Sequence, residues 1–167
     1  LLGAFTLERL KAVNGAADFN EIHRAARNIR AGNAEDWYTE FAKQGDTLKK
    51  IGDDALAASH QETASSSLLR AFTYYRSAER VLRGHDERKI PMYHKAVGCF
   101  RQALDLSNHP HEYVKVPFEG KELEAIYYAP RRVTKGHAKP PCVLFLSGAD
   151  ALPEENFFRS VQQITAR

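Results

Sequence analysis

An α/β fold is predicted, with helices in the longer first part of the chain and strands after them. Three observations predict it. Apolar residues recur at helical spacing up to about Ser107. Beyond that point they follow the alternating spacing of strands. The run Cys142-Val143-Leu144-Phe145-Leu146 is apolar at every position, the pattern of a strand buried on both faces in a parallel sheet. The expected organisation is a helical domain over 1–108 and the opening of a sheet-containing core over 109–167.

The first stretch is weakly patterned. Leu7, Leu10, Val13 and Phe19 sit among Gly15 and small residues and suit a short helix and a loop. A firm helix begins at 33–36, where Asn33 or Asp36 can cap it. Its stripe is Trp37, Phe41, Leu48, Ile51 and Ala55, and Gly45 and Gly52 fall on or near the same stripe. Each glycine costs about 1 kcal/mol against alanine in a helix. Either a neighbouring helix approaches closely there, or the helix breaks.

A second helix is expected over 65–83. Its stripe is Leu68, Phe72, Tyr75, Ala78 and Leu82, and Gly84 is its stop. After a charged loop, Pro91 suits the first turn of a third helix. Tyr93, Val97, Phe100 and Leu104 form that helix's stripe, which ends before Asn108-His109-Pro110.

Residues 113–118 read as a strand whose Pro117 belongs on an edge or at a bulge. Residues 119–121 read as a turn and 123–128 as the returning strand of a hairpin. A polar, basic loop over 130–141 leads to the apolar strand at 142–146. Gly148-Ala149-Asp150 turns the chain, and Pro153-Glu154-Glu155 opens a helix carrying Phe157, Phe158, Val161 and Ile164.

Composition narrows the function classes. The chain is 43% hydrophobic and 27% charged, which argues for a folded domain over disorder. A net charge of +3 is too small to point to nucleic acid. No apolar run reaches the roughly 18 residues of a membrane span. Cys99 and Cys142 make neither a disulfide framework nor a CxxC zinc site. They read as small core residues. With no targeting signal in view, the expected location is the cytoplasm. His109-Pro110-His111-Glu112 invites a metal reading, but nothing completes a ligand set, and an exposed interdomain linker is expected. His23, His60, His85, His94 and His137 read as surface residues. Residues 131–137 read as a solvated basic loop.

A strand apolar on both faces needs helices above and below and strands beside it. After Leu146 the sequence offers one helix and no further strand, and the hairpin supplies at most two partners. Such a sheet would leave apolar surface and a pairing edge exposed. The expectation is therefore that the sequence is part of a longer chain, or completes its sheet with another chain.

An ordered set of segments carries a family resemblance. It runs from Asp36-Trp37-Tyr38-Thr39-Glu40-Phe41 through Leu69-Arg70-Ala71-Phe72-Thr73-Tyr74-Tyr75-Arg76-Ser77-Ala78-Glu79, Asp86-Glu87-Arg88, Tyr93 and Cys99-Phe100-Arg101-Gln102-Ala103. It continues through Val114-Lys115-Val116-Pro117-Phe118-Glu119-Gly120 and Pro140-Pro141-Cys142-Val143-Leu144-Phe145-Leu146-Ser147-Gly148-Ala149-Asp150 to Glu154-Glu155. From about Trp37 to about Phe158 this resembles the N-terminal part of α/β-hydrolases of the FrsA-like esterase group. That group includes 2,6-dihydroxypseudooxynicotine hydrolase and the fungal pigment hydrolases that shorten polyketide chains.

The resemblance implies a helical cap region that packs over the active site and commonly contributes to a homodimer. It implies a core that opens with an antiparallel hairpin, a first parallel strand and a first helix, here truncated. In the family the nucleophilic serine sits in a G-x-S-x-G elbow after a later strand. No G-x-S-x-G occurs here, and Ser147-Gly148 is the sole Ser-Gly pair. The triad is therefore expected beyond Arg167, and the chain alone is expected to be inactive.

By resemblance the backbone N–H of Ala149 would be one oxyanion donor, with Gly148 allowing close approach. Such a donor can be worth about 3 kcal/mol of barrier. From spacing alone the same residues suit an ordinary strand-to-helix turn, with Asp150 near a helix start. Arg70 lies one helical turn before Tyr74, and Tyr75 points about 100° away from Tyr74. A cap helix showing Arg and Tyr to a pocket could hold an aromatic or anionic acyl group. Otherwise the tyrosine is packed, with its hydroxyl bonded to backbone. Trp37 is read as a core anchor of the helical region, or else as part of the pocket or of a dimer contact.

Three functions follow. The first is the front of a serine hydrolase acting on a small molecule, at an ester or at a carbon–carbon bond next to a ketone, with no cofactor. The second is a TPR-like interaction module, suggested by residues 93–104 with Pro110 after them. No second copy appears at the 34-residue TPR period. The third is a non-catalytic hydrolase-fold binding protein.

Overall fold

The structure, a computed structural model, describes residues 14–130, 141–148 and 150–165. Leu7, Leu10, Val13, the basic stretch 131–140 and Ala149 lie outside them. Four helices come first: α1 (Phe19–Ala26), α2 (Ala34–Ala57), α3 (Gln61–Arg80) and α4 (Lys89–Leu106). Strands β1 (His111–Phe118) and β2 (Lys121–Tyr128) follow, then a helical end made of Phe157–Val161 and Gln162–Thr165. The described residues divide between Ser107 and Asn108 into two compact units.

In the helical unit, Asn33 caps α2 by accepting from the backbone N–H groups of Glu35 and Asp36. The helix then runs unbroken through both glycines. A Cβ at Gly45 would stand 2.6 Å from the Tyr75 ring, and one at Gly52 would stand 2.8 Å from Leu68 Cγ. Close approach of α3 is therefore what the glycines serve. Helix α3 is the central element, and every residue from 71 to 79 is buried. Its other side meets α4 through the Phe72–Phe100 ring pair, 5.2 Å apart, and through the Ser65 hydroxyl, which donates to the Ala103 carbonyl.

Two charges are buried on α3. Arg76 and Glu79 form an ion pair, and Lys89 reaches Glu79 at 2.5 Å. Lys89 also donates to the carbonyls of Glu79 and Leu82, satisfying acceptors left over where α3 ends. Helix α3 stops at Arg80, short of the expected 83, so Leu82 is buried from the following turn. Helix α1 is capped by Asp18 and buries Ile22 and Ala25, while Phe19, the stripe residue expected from the sequence, is half exposed.

The second unit contains an antiparallel hairpin with Phe118 opposite Lys121 and His111 opposite Tyr128. Its two-residue turn holds Glu119 at φ 47° and Gly120 at φ 74°. That is the left-handed pair required by the tight hairpin turn whose twist matches the strands. Strand β1 begins at His111, so 109–112 is not the exposed linker expected. His109 is buried, with its ring 5.7 Å from that of Tyr128 and 5.4 Å from that of Phe157. The helix expected after Pro153 appears in part as a π-helical turn, which buries Phe157, Phe158 and Val161.

The expected first parallel strand of a hydrolase core is corrected by the structure. Among the described residues the sheet is the two-stranded hairpin alone. Residues 142–146 form no strand, and Val143, Leu144, Phe145 and Leu146 are exposed, Leu144 by 82%. Cys142 is exposed as well, not a core residue. Apolar side chains favour burial, but a strand exists only where a neighbour accepts its backbone hydrogen bonds. No described strand stands beside this run.

The two kinds of helical glycine predict opposite responses. Gly45→Ala and Gly52→Ala gain helix propensity but overpack against Tyr75 and Leu68, with an expected net loss of about 1–3 kcal/mol. Gly98→Ala, on an exposed position of α4 where a Cβ meets nothing within 4 Å, is expected to gain roughly 0.5–1 kcal/mol. Urea unfolding of the three variants checks both signs.

Candidate functional site

Arg70 and Tyr74 lie one turn apart on α3, and both reach α1. The Tyr74 hydroxyl accepts from the Asp18 backbone N–H at 3.0 Å and donates to Glu21 Oε2 at 2.7 Å. Arg70 Nη1 reaches Glu21 Oε1 at 2.5 Å. The two residues therefore meet at one carboxylate inside the helical unit. Burial pushes the Tyr74 hydroxyl pKa well above its usual value, so it stays protonated and able to donate.

Tyr75 faces the other way, across Gly45. Its hydroxyl donates to Asp46 at 2.7 Å, and Lys95 pairs with the same carboxylate at 3.1 Å. Trp37 is buried, its indole N–H donates to the Ser77 carbonyl at 3.0 Å, and its ring lies 4.7 Å from that of Phe41. Phe41 in turn lies 6.1 Å from Tyr74. Trp37, Phe41 and Tyr74 thus form an aromatic row along the seam of α2 and α3. Cys99 is buried, and that burial raises its thiol to about 11, which leaves it protonated at neutral pH and a poor nucleophile.

The sequence reading missed Asp18 and Glu21. The signal was present: Asp18 followed three residues later by Glu21 is the spacing of a helix-capping pair. Asp18 does accept from Asn20 and Glu21 N–H, but the Glu21 side chain turns to Arg70 and Tyr74.

In the second unit, Gly148 and Asp150 are exposed and flank a turn closed by the Ala151 N–H to Gly148 carbonyl bond. A Cβ on Gly148 would meet nothing within 4 Å. Asn156 donates to the Ser147 hydroxyl at 3.0 Å, and Glu155 accepts from the Leu152 N–H. Among the described residues no group of three or more His, Cys, Asp or Glu is placed to hold a metal ion. No described helix is long and apolar enough to cross a membrane.

Comparison with known proteins defines the class. No family model matches the chain. The chain is 31% identical over 157 residues to the alpha/beta hydrolase xenA of Xenoacremonium sinensis, covering 92% of this chain and 37% of that protein. It is 30% identical over 153 residues to the hydrolase ORFZ of Pyricularia oryzae, covering 88% of this chain and 36% of that protein. The crystal structure of 2,6-dihydroxy-pseudo-oxynicotine hydrolase superposes with a TM-score of 0.60 at 15% identity, over 74% of this chain and 34% of that one. At that identity the superposition speaks for the fold alone. The chain spans little more than a third of the length of the curated relatives it matches. These likenesses are all to proteins of the hydrolase class. More particularly, the chain is similar in sequence to fungal hydrolases of the α/β-hydrolase superfamily, and it shares its fold with pseudo-oxynicotine hydrolase.

Acid is expected to loosen the edges of the helical unit first. Hydrogen bonds from the Arg30 side chain and backbone hold the Asp36 carboxyl down to about 2, and those from Arg88 do the same for Asp86. A carboxyl depressed by folding adds stability that is fully present above its unfolded value near 4. That stability is lost as pH falls through about 2. Unfolding free energy is expected to fall across that window, and less so in Asp36→Asn. Denaturant titrations at stepped pH check this.

Proposed function

We propose that the chain is the front of a longer serine-type α/β-hydrolase that acts on a small organic molecule, at an ester or at a carbon–carbon bond beside a ketone. The observation that carries this reading is the single alignment to xenA, which spans 92% of the chain. In this proposal the serine, acid and histidine lie beyond Arg167, and the chemistry needs no metal or organic cofactor.

Attack of a serine oxygen on the carbonyl carbon moves an electron pair onto the carbonyl oxygen, and both bond types pass through that oxyanion. A backbone N–H at Ala149, beside Gly148, is proposed as one donor to it, and Asp150 as a neighbour of the substrate. Gly148 is exposed, and among the described residues beyond its chain neighbours nothing lies within 4 Å of its Cβ position, which supports a close approach there. Trp37, Arg70, Tyr74 and Tyr75 are proposed as residues of the cap that shape the substrate side.

A homodimer through the helical unit is part of the proposal. The outward side of α2 carries a shallow groove of about 630 Å³ lined in part by Tyr38, Ala42 and Ile51. Lys43, Asp46, Lys50 and Asp54 alternate in sign along it. If two copies of α2 pair antiparallel, Lys43 faces Asp54 of the partner subunit and Lys50 faces Asp46 of the partner subunit. The face is thus complementary to itself, as a two-fold interface requires. The location proposed is the cytoplasm.

Treating the native polypeptide with a fluorophosphonate and weighing it intact tests the activity. One adduct, on a serine outside residues 1–167, is expected. A native polypeptide that takes no adduct overturns the serine-hydrolase reading and favours a hydrolase-fold binding protein. Light scattering after size exclusion tests the dimer: Ile51→Glu is expected to halve the mass, and an unchanged mass excludes this face.

A further inference from the structure

The contact between Glu21 and the Arg70–Tyr74 pair has the form of a carboxylate held in a binding site. Glu21 presents one oxygen to the guanidinium and the other to the phenol, at 2.5 and 2.7 Å. The fit to Arg70 is partial. Glu21 takes Nη1 alone, while Arg70 Nε is buried with no hydrogen-bond partner. A guanidinium binds a carboxylate best through two parallel N–H bonds, and a buried unsatisfied donor is uncommon enough to need a reason. Glu21 is tethered in the first turn of α1 and does not make the side-on pose. A carboxylate free of that tether can engage Nε and one Nη together and still accept from Tyr74.

The element that carries Glu21 is lightly held. Helix α1 buries only Ile22 and Ala25. Its remaining attachments include the Asp18 and Glu21 bonds to Tyr74 and Arg70 and the Asn28 to Glu40 bond. Segments with few buried apolar groups open at lower free energy than the core beneath them. Beside Tyr74 stands the row of Phe41 and Trp37, buried while α1 is closed and suited to line a site for an aromatic body that enters when it opens.

We propose that Arg70 and Tyr74 form a binding site for a small aromatic carboxylate, and that Glu21 fills this site as an internal occupant while α1 is closed. The ligand displaces Glu21 and releases α1. This site is read by binding alone, so it stands or falls apart from the hydrolase reading.

Benzoate is the probe, and Trp37, the one tryptophan of the chain, is the reporter. Glu21→Gln keeps an acceptor for Tyr74 and removes the competing charge. It is expected to bind benzoate at least tenfold more tightly than the wild type. Adding Arg70→Gln is expected to abolish that binding. In the wild type, saturating benzoate is expected to speed amide exchange in residues 19–26 and leave α3 protected. A folded Glu21→Gln variant that shows no saturable fluorescence change overturns the proposal. So does benzoate binding that survives Arg70→Gln. Should Glu21→Gln fail to fold, the wild-type exchange decides: no selective change in residues 19–26 overturns it.

Discussion

The distance between α2 and α3 is the constraint on which the helical unit depends. At Gly45 and Gly52 the α2 backbone is brought against Tyr75 and Leu68, with no room for a β-carbon. Two glycines in one helix sacrifice propensity, about 1 kcal/mol each. The offset is a tight seam in which the Tyr75 ring lies flush on α2 and its hydroxyl reaches Asp46. That seam also sets the depth at which Trp37 and Phe41 meet α3, because the Trp37 indole must reach the Ser77 carbonyl.

Around this apolar seam the charges are graded by burial, and magnitude decides which of them matter. Arg76 and Glu79 lie inside, and removing one partner of such a buried pair costs on the order of 3–5 kcal/mol. The pairs Lys49–Asp53 and Lys50–Asp54 are exposed and contribute at most about 1 kcal/mol each. Between these limits lies the Glu21–Arg70–Tyr74 cluster, with Tyr74 buried and the two charged groups partly exposed, shared between elements distant in sequence. Here a short helix with little apolar face is held by polar groups. For that reason α1 is the segment best suited to move.

The second unit shows the opposite balance. A two-stranded hairpin is marginal by itself, and this one leaves Tyr113, Val116, Phe118, Leu123 and Tyr127 substantially exposed. Residues 143–146 add four more exposed apolar side chains. What order the unit has gathers at His109, Tyr128 and Phe157, whose rings meet within 6 Å of one another.

Local chemistry written in the sequence was enough for much of this. Asn33 as a cap, the α2 stripe apart from Ile51, which is exposed, the span of α4 and the hairpin all depend on residues close in the chain and were legible there, although the turn takes two residues where three were expected. Arg70, Tyr74, Tyr75 and Trp37 could be singled out there as candidates. Their partners were not legible, because Glu21, Asp46 and Ser77 lie 29 to 53 residues away from them. The role of Gly45 and Gly52 stayed open for the same reason, since a missing β-carbon records that something comes close but not what. The run at 142–146 marks the limit. Its apolar side chains state a preference for burial, whereas a strand needs a partner's backbone, and only tertiary structure supplies or withholds one.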